Sequence, residues 1–367
     1  MLFTVAAAVT YLLAVPARAL AVRVNAVAAV RDRDVHAVPI PFFGGLAILA
    51  GLWAAYLTAL HLPFLSTTDS SLVDDAGAVL VGGTVICLVG VIDDVWELDA
   101  LTKFVGQVAA STVVVALGVQ FYYLPLADEV NVIDPVQAAV VSVLLVVGTV
   151  NAVNFVDGLD GLAAGVVCIG AVAFFGFAYV LAGQNSQSVA TPAALLTAAL
   201  SGACVGFLPH NFFPARMFMG DSGSMLIGLV LACSAITLTG QFPASAKPIE
   251  GISGPANLSP TLLPLLLPVA MLLVPFADLA LAVIRRTRAG RSPFSADKQH
   301  LHHRLLEIGH SQRRAVLVMY LLAALIAFGT VALSLFSGWR VVAVVATAAV
   351  LTLATAVLLP RMGRSVT

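Results

Sequence analysis

Eleven long apolar runs dominate this chain and limit what it can fold into. A helix needs roughly 20 mostly apolar residues to cross the hydrocarbon core of a bilayer. Only 10% of the residues are charged, against about a quarter in soluble domains. The sequence therefore predicts an all-α fold, a polytopic membrane helix bundle with about eleven transmembrane helices. The runs are 2–22, 44–62, 77–92, 104–124, 136–153, 162–182, 192–209, 223–240, 260–284, 315–336 and 338–358.

The basic residues predict how these helices are oriented. When the connections are assigned alternately to the two sides of the membrane, sixteen of the eighteen lysines and arginines fall on one side. Only Lys247 and Arg340 fall on the other. Because cytoplasmic loops carry the excess of Lys and Arg, we expect an outside N-terminus and a cytoplasmic C-terminus. No connection is long enough to form a second core, so residues 1–367 are expected to be one domain.

Acidic and amide side chains gather on the predicted cytoplasmic side. Asp93 and Asp94 follow an apolar run, and Lys103 opens the next one. Two adjacent carboxylates repel each other unless a cation or a proton relieves them. A solvated helix end is the alternative interpretation of this pair.

The stretch NAVNFVDGLDGLAAG, residues 151–165, places two asparagines and two aspartates between two long apolar runs. Asn154, Asp157 and Asp160 recur at a spacing of three, so on a helix they would share roughly one face. Carboxylate and amide oxygens suit a hard cation such as Mg²⁺. A polar helix cap is the simpler alternative, and Asn151 is expected only to satisfy backbone groups at the helix end.

Asp221, in MGDSGS, adds another carboxylate on the same side, just before an apolar run. Taken alone, an acid there is an ordinary helix-capping feature. Asp278 lies inside the ninth run near its cytoplasmic end, where an ionisable group is costly and suggests a function. Pairing with a neighbouring helix is the alternative for Asp278.

The connection between the ninth and tenth runs is rich in arginine and histidine. It contains Arg286 among several other basic residues, and His300, His302 and His303 lie within four positions. Arginines here could simply follow the positive-inside rule or touch anionic lipids. The histidines are better explained as donors to phosphate oxygens, although a zinc site is an alternative.

Together, these clusters favour an enzyme that transfers a phosphoryl group between a soluble diphosphate and a lipid phosphate at the inner leaflet. A transporter is the competing class, but transporters usually place their polar site near the membrane midplane. Here the polar clusters collect at one membrane face.

Four segments resemble the cytoplasmic motifs of the polyprenyl-phosphate N-acetylhexosamine-1-phosphate transferases, and they occur in that family's order. They are GVIDD, NAVNFVDGLDGLAAG, PARMFMGDSGS and SPFSADKQHLHHRL, and the resemblance covers about residues 30–320. The last segment is similar to the N-acetylglucosamine branch. The related phospho-N-acetylmuramoyl-pentapeptide transferases usually have ten helices and three consecutive histidines, so HLHH speaks against that alternative.

The resemblance implies a reaction and a set of residue roles. UDP-GlcNAc would donate GlcNAc-1-phosphate to a polyprenyl phosphate, undecaprenyl or decaprenyl, with Mg²⁺ or Mn²⁺ as cofactor. Metal ligands would be Asp221 and Asn154. The catalytic carboxylates would be Asp93 and Asp94, acting on the lipid phosphate and metal, and Asp157 and Asp160, shaping the nucleotide site. Phosphate or sugar contacts would come from Lys103, Arg286, His300, His302 and His303, and we place Asp278 with this substrate-binding group.

The resemblance also implies a setting for the enzyme. We expect a multi-pass protein of the bacterial inner membrane, with a cytoplasmic cleft, a homodimeric assembly and no nucleic-acid partner. A phosphate monoester has a second pKa of about 6, so the lipid phosphate is already largely dianionic at neutral pH. We therefore favour its direct attack on the donor, with a covalent aspartyl-phosphate intermediate as the alternative.

Overall fold

A computed structural model describes residues 1–28, 39–62, 70–126, 129–184, 191–239, 287–288, 311–336 and 338–362. Helices account for most of these residues. They are α1 Leu2–Arg23, α2 Gly44–Leu60, α3 Ser70–Trp96, α4 Ala100–Ala116, α5 Pro135–Val156, α6 Leu162–Gln184, α7 Thr191–Asn211, α8 Gly220–Thr239, α9 Gln312–Leu335 and α10 Trp339–Met362. The mainly helical, polytopic fold predicted from the apolar runs is confirmed.

Each predicted run within the described residues corresponds to one of these helices. Seven of the helices are long and apolar enough to cross a membrane, and α2, α4 and α10 contain shorter apolar segments. The ninth run, 260–284, lies outside the described residues, and so do Asp278, Arg286, His300, His302 and His303. All four cysteines are buried, as expected for small apolar side chains.

The fourth run was predicted too long. Helix α4 ends at Ala116, and an antiparallel hairpin of β3, Tyr123–Leu126, and β4, Glu129–Val132, follows it. A second short antiparallel pair, β1 Val27–Ala28 and β2 Ile40–Pro41, lies before α2. The backbone turns at Leu117 and Gly118, where Gly118 adopts a φ of +102° that only glycine adopts readily.

Local side chains define where two of the helices begin. Asp99 precedes α4 and accepts hydrogen bonds from the amides of Leu101 and Thr102 at 3.1 and 3.2 Å. Asp134 precedes α5 and accepts from the amide of Val136 at 2.9 Å, with proline at the first helical position. These are normal N-cap arrangements, and the cap at Asp99 places Lys103 one turn into α4.

Helix α8 is the centre of the bundle. Every residue from Ser222 to Leu238 is buried, and α8 packs against α2, α3, α5, α6 and α7. A helix that is apolar on all sides needs such a position. By contrast, α1 and α9 leave many large apolar side chains exposed, including Leu12 and Leu317, as expected for surfaces that face lipid.

Candidate active site

Four helix ends meet at one end of the bundle and bring the predicted polar residues together. The end of α3 carries Asp93 and Asp94, and the start of α4 carries Lys103. The last turn of α5 carries Asn154, and the first turn of α8 carries Asp221. We call Asp93, Asp94, Lys103, Asn154 and Asp221 the carboxylate cluster.

Asp221 makes the contacts that connect this cluster. The amide Nδ2 of Asn154 donates to Asp221 Oδ1 at 2.6 Å, although the two residues lie 67 positions apart. Lys103 Nζ donates to Asp221 Oδ2 and also to Asp93 Oδ2, the latter at 3.1 Å. One ammonium group therefore bridges two carboxylates, which compensates part of their repulsion. The side chains of Asp221 and Lys103 remain 25% and 21% exposed, so solutes can reach them.

Asp94 has a different environment from its neighbour Asp93. Its Oδ1 accepts the backbone N–H of Asp221 at 2.7 Å, and its Oδ2 accepts the hydroxyl of Ser222 at 2.8 Å. The N–H of Ser222 also points to Oδ2, at 3.3 Å. Asp94 thus caps the N-terminus of α8 from another helix, where a negative charge is favoured by the helix dipole.

This cap explains why Asp221 is free to face the cluster. Capping was the simplest interpretation of Asp221 from the sequence, but the structure gives that contact to Asp94. The carboxylate of Asp221 instead meets Asn154 and Lys103. Asp221 is therefore a first-turn acid whose side chain is available for chemistry.

Small residues allow the start of α8 to come this close to α2 and α3. A Cβ on Gly90 would lie 2.3 Å from Ser222 Cα, and one on Gly45 would lie 2.4 Å from the amide nitrogen of Gly223. Gly220 has a φ of +69°, and a Cβ there would lie 2.4 Å from Asp94 Oδ2. Backbone contact at these positions fixes where Asp221 sits.

The stretch from Asp157 to Gly161 is a turn, which corrects the prediction of one helical face. Helix α5 ends at Val156, and α6 begins at Leu162. Asn154 is in the helix, whereas Asp157 and Asp160 are in the turn. The periodicity of three was misleading because Gly158 and Gly161 interrupt the helix, and Gly161 adopts a φ of +77°.

The two turn carboxyl groups differ in their surroundings. Burial and, to a smaller extent, the nearby carboxylates of Asp221, Asp94 and Asp160 together raise the pKa of Asp157 to about 8. Asp160 is only 2% exposed, and its Oδ2 accepts the backbone N–H of Ala215 at 2.9 Å. Asp160 thereby ties the turn to the loop between α7 and α8.

Sequence reasoning missed several residues that support the cluster. Gln107 and Asn151 exchange hydrogen bonds at 2.7 and 3.4 Å, and Asn151 also donates to the carbonyl of Val147. Asn211 accepts the N–H of Gly161 at 3.0 Å. Asn151 therefore does satisfy a backbone carbonyl, as predicted, but its pairing with Gln107 was not. The sequence did contain a signal for this pairing, because Gln107 is a polar residue inside the apolar run 104–124.

The family model described as glycosyl transferase family 4 matches residues 76–239, a range that contains every member of the carboxylate cluster. Decaprenyl-phosphate N-acetylglucosaminephosphotransferase of Mycobacterium tuberculosis is 47% identical over 98% of this chain and 88% of its own length.

Two further relatives agree with this match. The decaprenyl-phosphate N-acetylglucosaminephosphotransferase of Mycolicibacterium smegmatis is 45% identical over 88% of this chain and 79% of its own length. A probable undecaprenyl-phosphate N-acetylglucosaminyl 1-phosphate transferase of Bacillus subtilis is 31% identical, over 87% of this chain and 80% of its own length. The chain therefore belongs to the polyprenyl-phosphate N-acetylglucosamine-1-phosphate transferase family of membrane enzymes.

Proposed function

We propose that this protein transfers GlcNAc-1-phosphate from UDP-GlcNAc to decaprenyl phosphate, giving decaprenyl-diphosphate-GlcNAc and UMP. The observation that carries the proposal is the carboxylate cluster, in which Lys103 bridges Asp93 and Asp221 beside Asn154. Decaprenyl is preferred to undecaprenyl because the relatives named for it are 45–47% identical, against 31% for the undecaprenyl relative.

The proposed location is the plasma membrane, with the active site on the cytoplasmic side. The four helix ends of the cluster meet at one end of the bundle, which supports a site at one membrane face. The distribution of lysines and arginines supports the cytoplasmic face for that end. The same pattern gives the proposed outside N-terminus and cytoplasmic C-terminus. We also propose that the chain is one domain and forms a homodimer.

A divalent cation, Mg²⁺ or Mn²⁺, fits the side chains of the cluster. Asp221 and Asn154 already contact each other at 2.6 Å, and rotation of the amide would present the oxygen of Asn154 in place of its nitrogen. Within the described part of the chain, no three His, Cys, Asp or Glu side chains are arranged to hold a metal by themselves. Water and substrate phosphates would therefore complete the coordination, as Mg²⁺ sites in proteins usually require.

The bound cation would supply charge neutralisation at the transferring phosphoryl group. The residues of this chain have separate tasks around it. Lys103, whose side chain is 21% exposed, would contact a phosphate oxygen and stabilise its charge. Asp94 holds the first turn of α8 and so fixes the position of Asp221. Asp157 and Asp160 shape the nucleotide side of the site.

The lipid phosphate is the proposed nucleophile. Its oxygen forms a bond to the sugar-bearing phosphorus of UDP-GlcNAc, the bond from that phosphorus to the bridging oxygen breaks, and UMP leaves with that oxygen. Because the phosphate is largely dianionic above its pKa of about 6, it needs positioning more than a base. A covalent intermediate is the alternative, in which Asp93 attacks the same phosphorus, UMP leaves and GlcNAc-1-phosphate remains on the carboxylate. Trapping protein labelled from UDP-GlcNAc that carries the label in its sugar, in the absence of lipid phosphate, would establish it.

The basic and histidine-rich connection remains part of the proposal. Arg286, His300, His302, His303 and Asp278 lie outside the described residues, and we propose that they contact the donor diphosphate or sugar. His300→Ala and His302→Ala should then raise the KM for UDP-GlcNAc or slow transfer at unchanged expression. Arg314→Gln is the matched control, since its backbone amide contacts Ser311 and its side chain is exposed.

The deciding experiment measures UMP release by the purified protein with several UDP-sugars. UDP-GlcNAc with decaprenyl phosphate and Mg²⁺ should give UMP and a lipid-linked GlcNAc. Release only with UDP-N-acetylmuramoyl-pentapeptide would establish the alternative transferase activity. Movement of a solute across vesicles without UMP release would instead establish a transporter.

A further inference from the structure

Helix α9 lies outside the matched range 76–239, yet it packs against α6 and contacts the turn between α5 and α6. The hydroxyl of Tyr320, in the third turn of α9, donates a hydrogen bond to the carbonyl of Gly161. The two residues are 159 positions apart. The contact therefore joins a C-terminal helix to the turn that carries Asp157 and Asp160.

The surroundings of Tyr320 are shaped to admit its ring. A Cβ on Gly165 would lie 2.0 Å from both Cζ and the hydroxyl oxygen of Tyr320. A larger side chain at position 165 could not coexist with the tyrosine ring where it stands. Glycine at this position thus lets the hydroxyl reach the carbonyl one helical turn earlier.

Both peptide groups around Gly161 are held by side chains from other helices. Asn211, at the end of α7, accepts the N–H of Gly161 at 3.0 Å and donates to the carbonyl of Met217 at 3.0 Å. Tyr320 donates to the carbonyl of the same residue, which also accepts the backbone N–H of Gly165 at 3.0 Å. Gly161 has a φ of +77°. Because glycine has no Cβ, its backbone can adopt many other conformations, and these contacts restrict it to one.

The first turn of α9 also contacts the loop between α7 and α8. Arg313 Nε donates to the carbonyl of Phe213 at 3.3 Å, and its guanidinium carbon lies 5.6 Å from the centre of the Phe213 ring. In the sequence, Arg313 is simply one of the sixteen basic residues assigned to the predicted cytoplasmic side. Helix α9 therefore contacts the turn between α5, which carries Asn154, and α6. It also contacts the loop between α7 and α8, which leads to Asp221.

We propose that Tyr320 is a positioning residue for the nucleotide-sugar site. It fixes the carbonyl of Gly161 and thereby the direction in which the Asp157 and Asp160 carboxyl groups point. This inference rests on the proposed function, in which that turn shapes the nucleotide side. Tyr320 contacts the enzyme's own backbone and acts on the substrate only through the turn.

The main experiment compares Tyr320→Phe with wild type in detergent. The substitution keeps the ring over Gly165 and removes only the hydroxyl. The KM for UDP-GlcNAc should rise about two- to tenfold, the effect of losing one ordinary hydrogen bond. The KM for lipid phosphate and the turnover at saturation should stay near wild type. Tyr179→Phe is the matched control, because Tyr179 on α6 is 66% exposed.

A second variant tests the same contact from the other side. Gly165→Ala should displace the Tyr320 ring and raise the KM for UDP-GlcNAc similarly. If both act through the hydroxyl, the double variant should be no worse than the poorer single variant. If the increases in KM of the two single variants instead multiply in the double variant, Tyr320 merely packs α9 against α6, and the proposal is overturned.

Hydrogen exchange separates this inference from the proposed function. In Tyr320→Phe, amides 157–165 should exchange faster, while those in Tyr179→Phe should match wild type. Unchanged exchange overturns the inference, and so does an unchanged KM in an active enzyme. Wild-type protein that releases no UMP would reject the proposed function, and the exchange result would then decide alone whether Tyr320 holds the turn.

Discussion

The start of α8 and the turn Asp157–Gly161 both carry acids of the candidate site, but they are held in different ways. The start of α8 lies within the bundle, in backbone contact with α2 and α3 and capped by Asp94. The turn has local backbone hydrogen bonds of its own, and the backbone N–H of Ala215 and the side chains of Asn211 and Tyr320 tie it to the rest of the bundle. Close packing gives the first region one position, whereas the second depends on a few hydrogen bonds from elsewhere in the chain.

This difference suggests a division of tasks. A proposed metal ligand such as Asp221 needs a position fixed to within a fraction of an ångström, which a buried helix start provides. A turn that surrounds a nucleotide can benefit from some adjustment when the substrate binds. We therefore expect substitutions at the start of α8 to affect turnover and stability most, and substitutions in the turn to affect substrate binding and pH dependence.

The largest expected effect follows Asp221→Asn. The substitution preserves size but removes the charge that faces Lys103 and Asn154. Turnover should fall about 10²–10³-fold, the usual loss when one electrostatic contact to the transition state is removed, and the Mg²⁺ requirement should rise. Steady-state UMP release at varied Mg²⁺ is the measurement. Wild-type turnover with normal metal dependence would exclude Asp221 from the active site.

The second prediction tests the close packing at the start of α8. Gly90→Ala places a Cβ 2.3 Å from Ser222 Cα, and the nearest atoms are all backbone atoms of Asp221 and Ser222. Overpacking of this kind usually costs about 1–3 kcal/mol, so both thermal stability and activity should drop. Gly148→Ala on α5 is the control, because no described atom lies within 4 Å of its Cβ position. Equal stability of the two variants would contradict the close packing at the start of α8.

Asp94→Asn distinguishes a cap from a base. The asparagine side chain keeps one acceptor oxygen, but its NH₂ group would face one of the donors at the N-terminus of α8. About 1 kcal/mol of the stabilisation from this helix cap should therefore be lost. Activity should fall about tenfold through displacement of Asp221, and raising the pH well above 6 should not restore it. Recovery in alkaline buffer would instead show that Asp94 removes a proton from the lipid phosphate.

The smallest expected effect is on the pH dependence of stability. Burial and neighbouring carboxylates raise the pKa of Asp157 to about 8, so the folded protein favours its protonated form. The contribution of Asp157 to folding stability is then fully present below its usual pKa of about 4 and is lost as pH rises to about 8. Metal-free wild-type protein should therefore lose thermal stability from pH 5 to pH 8.

Asp157→Asn should make that pH dependence shallower, because the amide has no proton to lose. The measurement is thermal unfolding in detergent with EDTA at several pH values. Asp134→Asn is a suitable comparison, since Asp134 caps the opposite end of α5. The raised pKa would be contradicted by identical slopes in wild type and Asp157→Asn.

The amino-acid sequence by itself determined the class of the protein and the chemistry it carries. Apolar runs of about the length needed to cross a bilayer predict spanning helices, because unsatisfied backbone groups are costly in lipid. Clusters of acids, amides and basic residues in the predicted cytoplasmic connections predict a polyanion site at one face. These inferences depend only on composition and spacing, which a sequence displays directly.

The tertiary structure alone decided which polar groups meet. Asp93 and Asp94 are neighbours in sequence, but successive positions on a helix point in different directions, so one meets Lys103 and the other caps α8. The contact of Tyr320 with Gly161 crosses 159 positions, and no local pattern encodes it. Such pairings arise from how helices pack, since side chains far apart in the chain become neighbours only when apolar faces and glycines bring their backbones together.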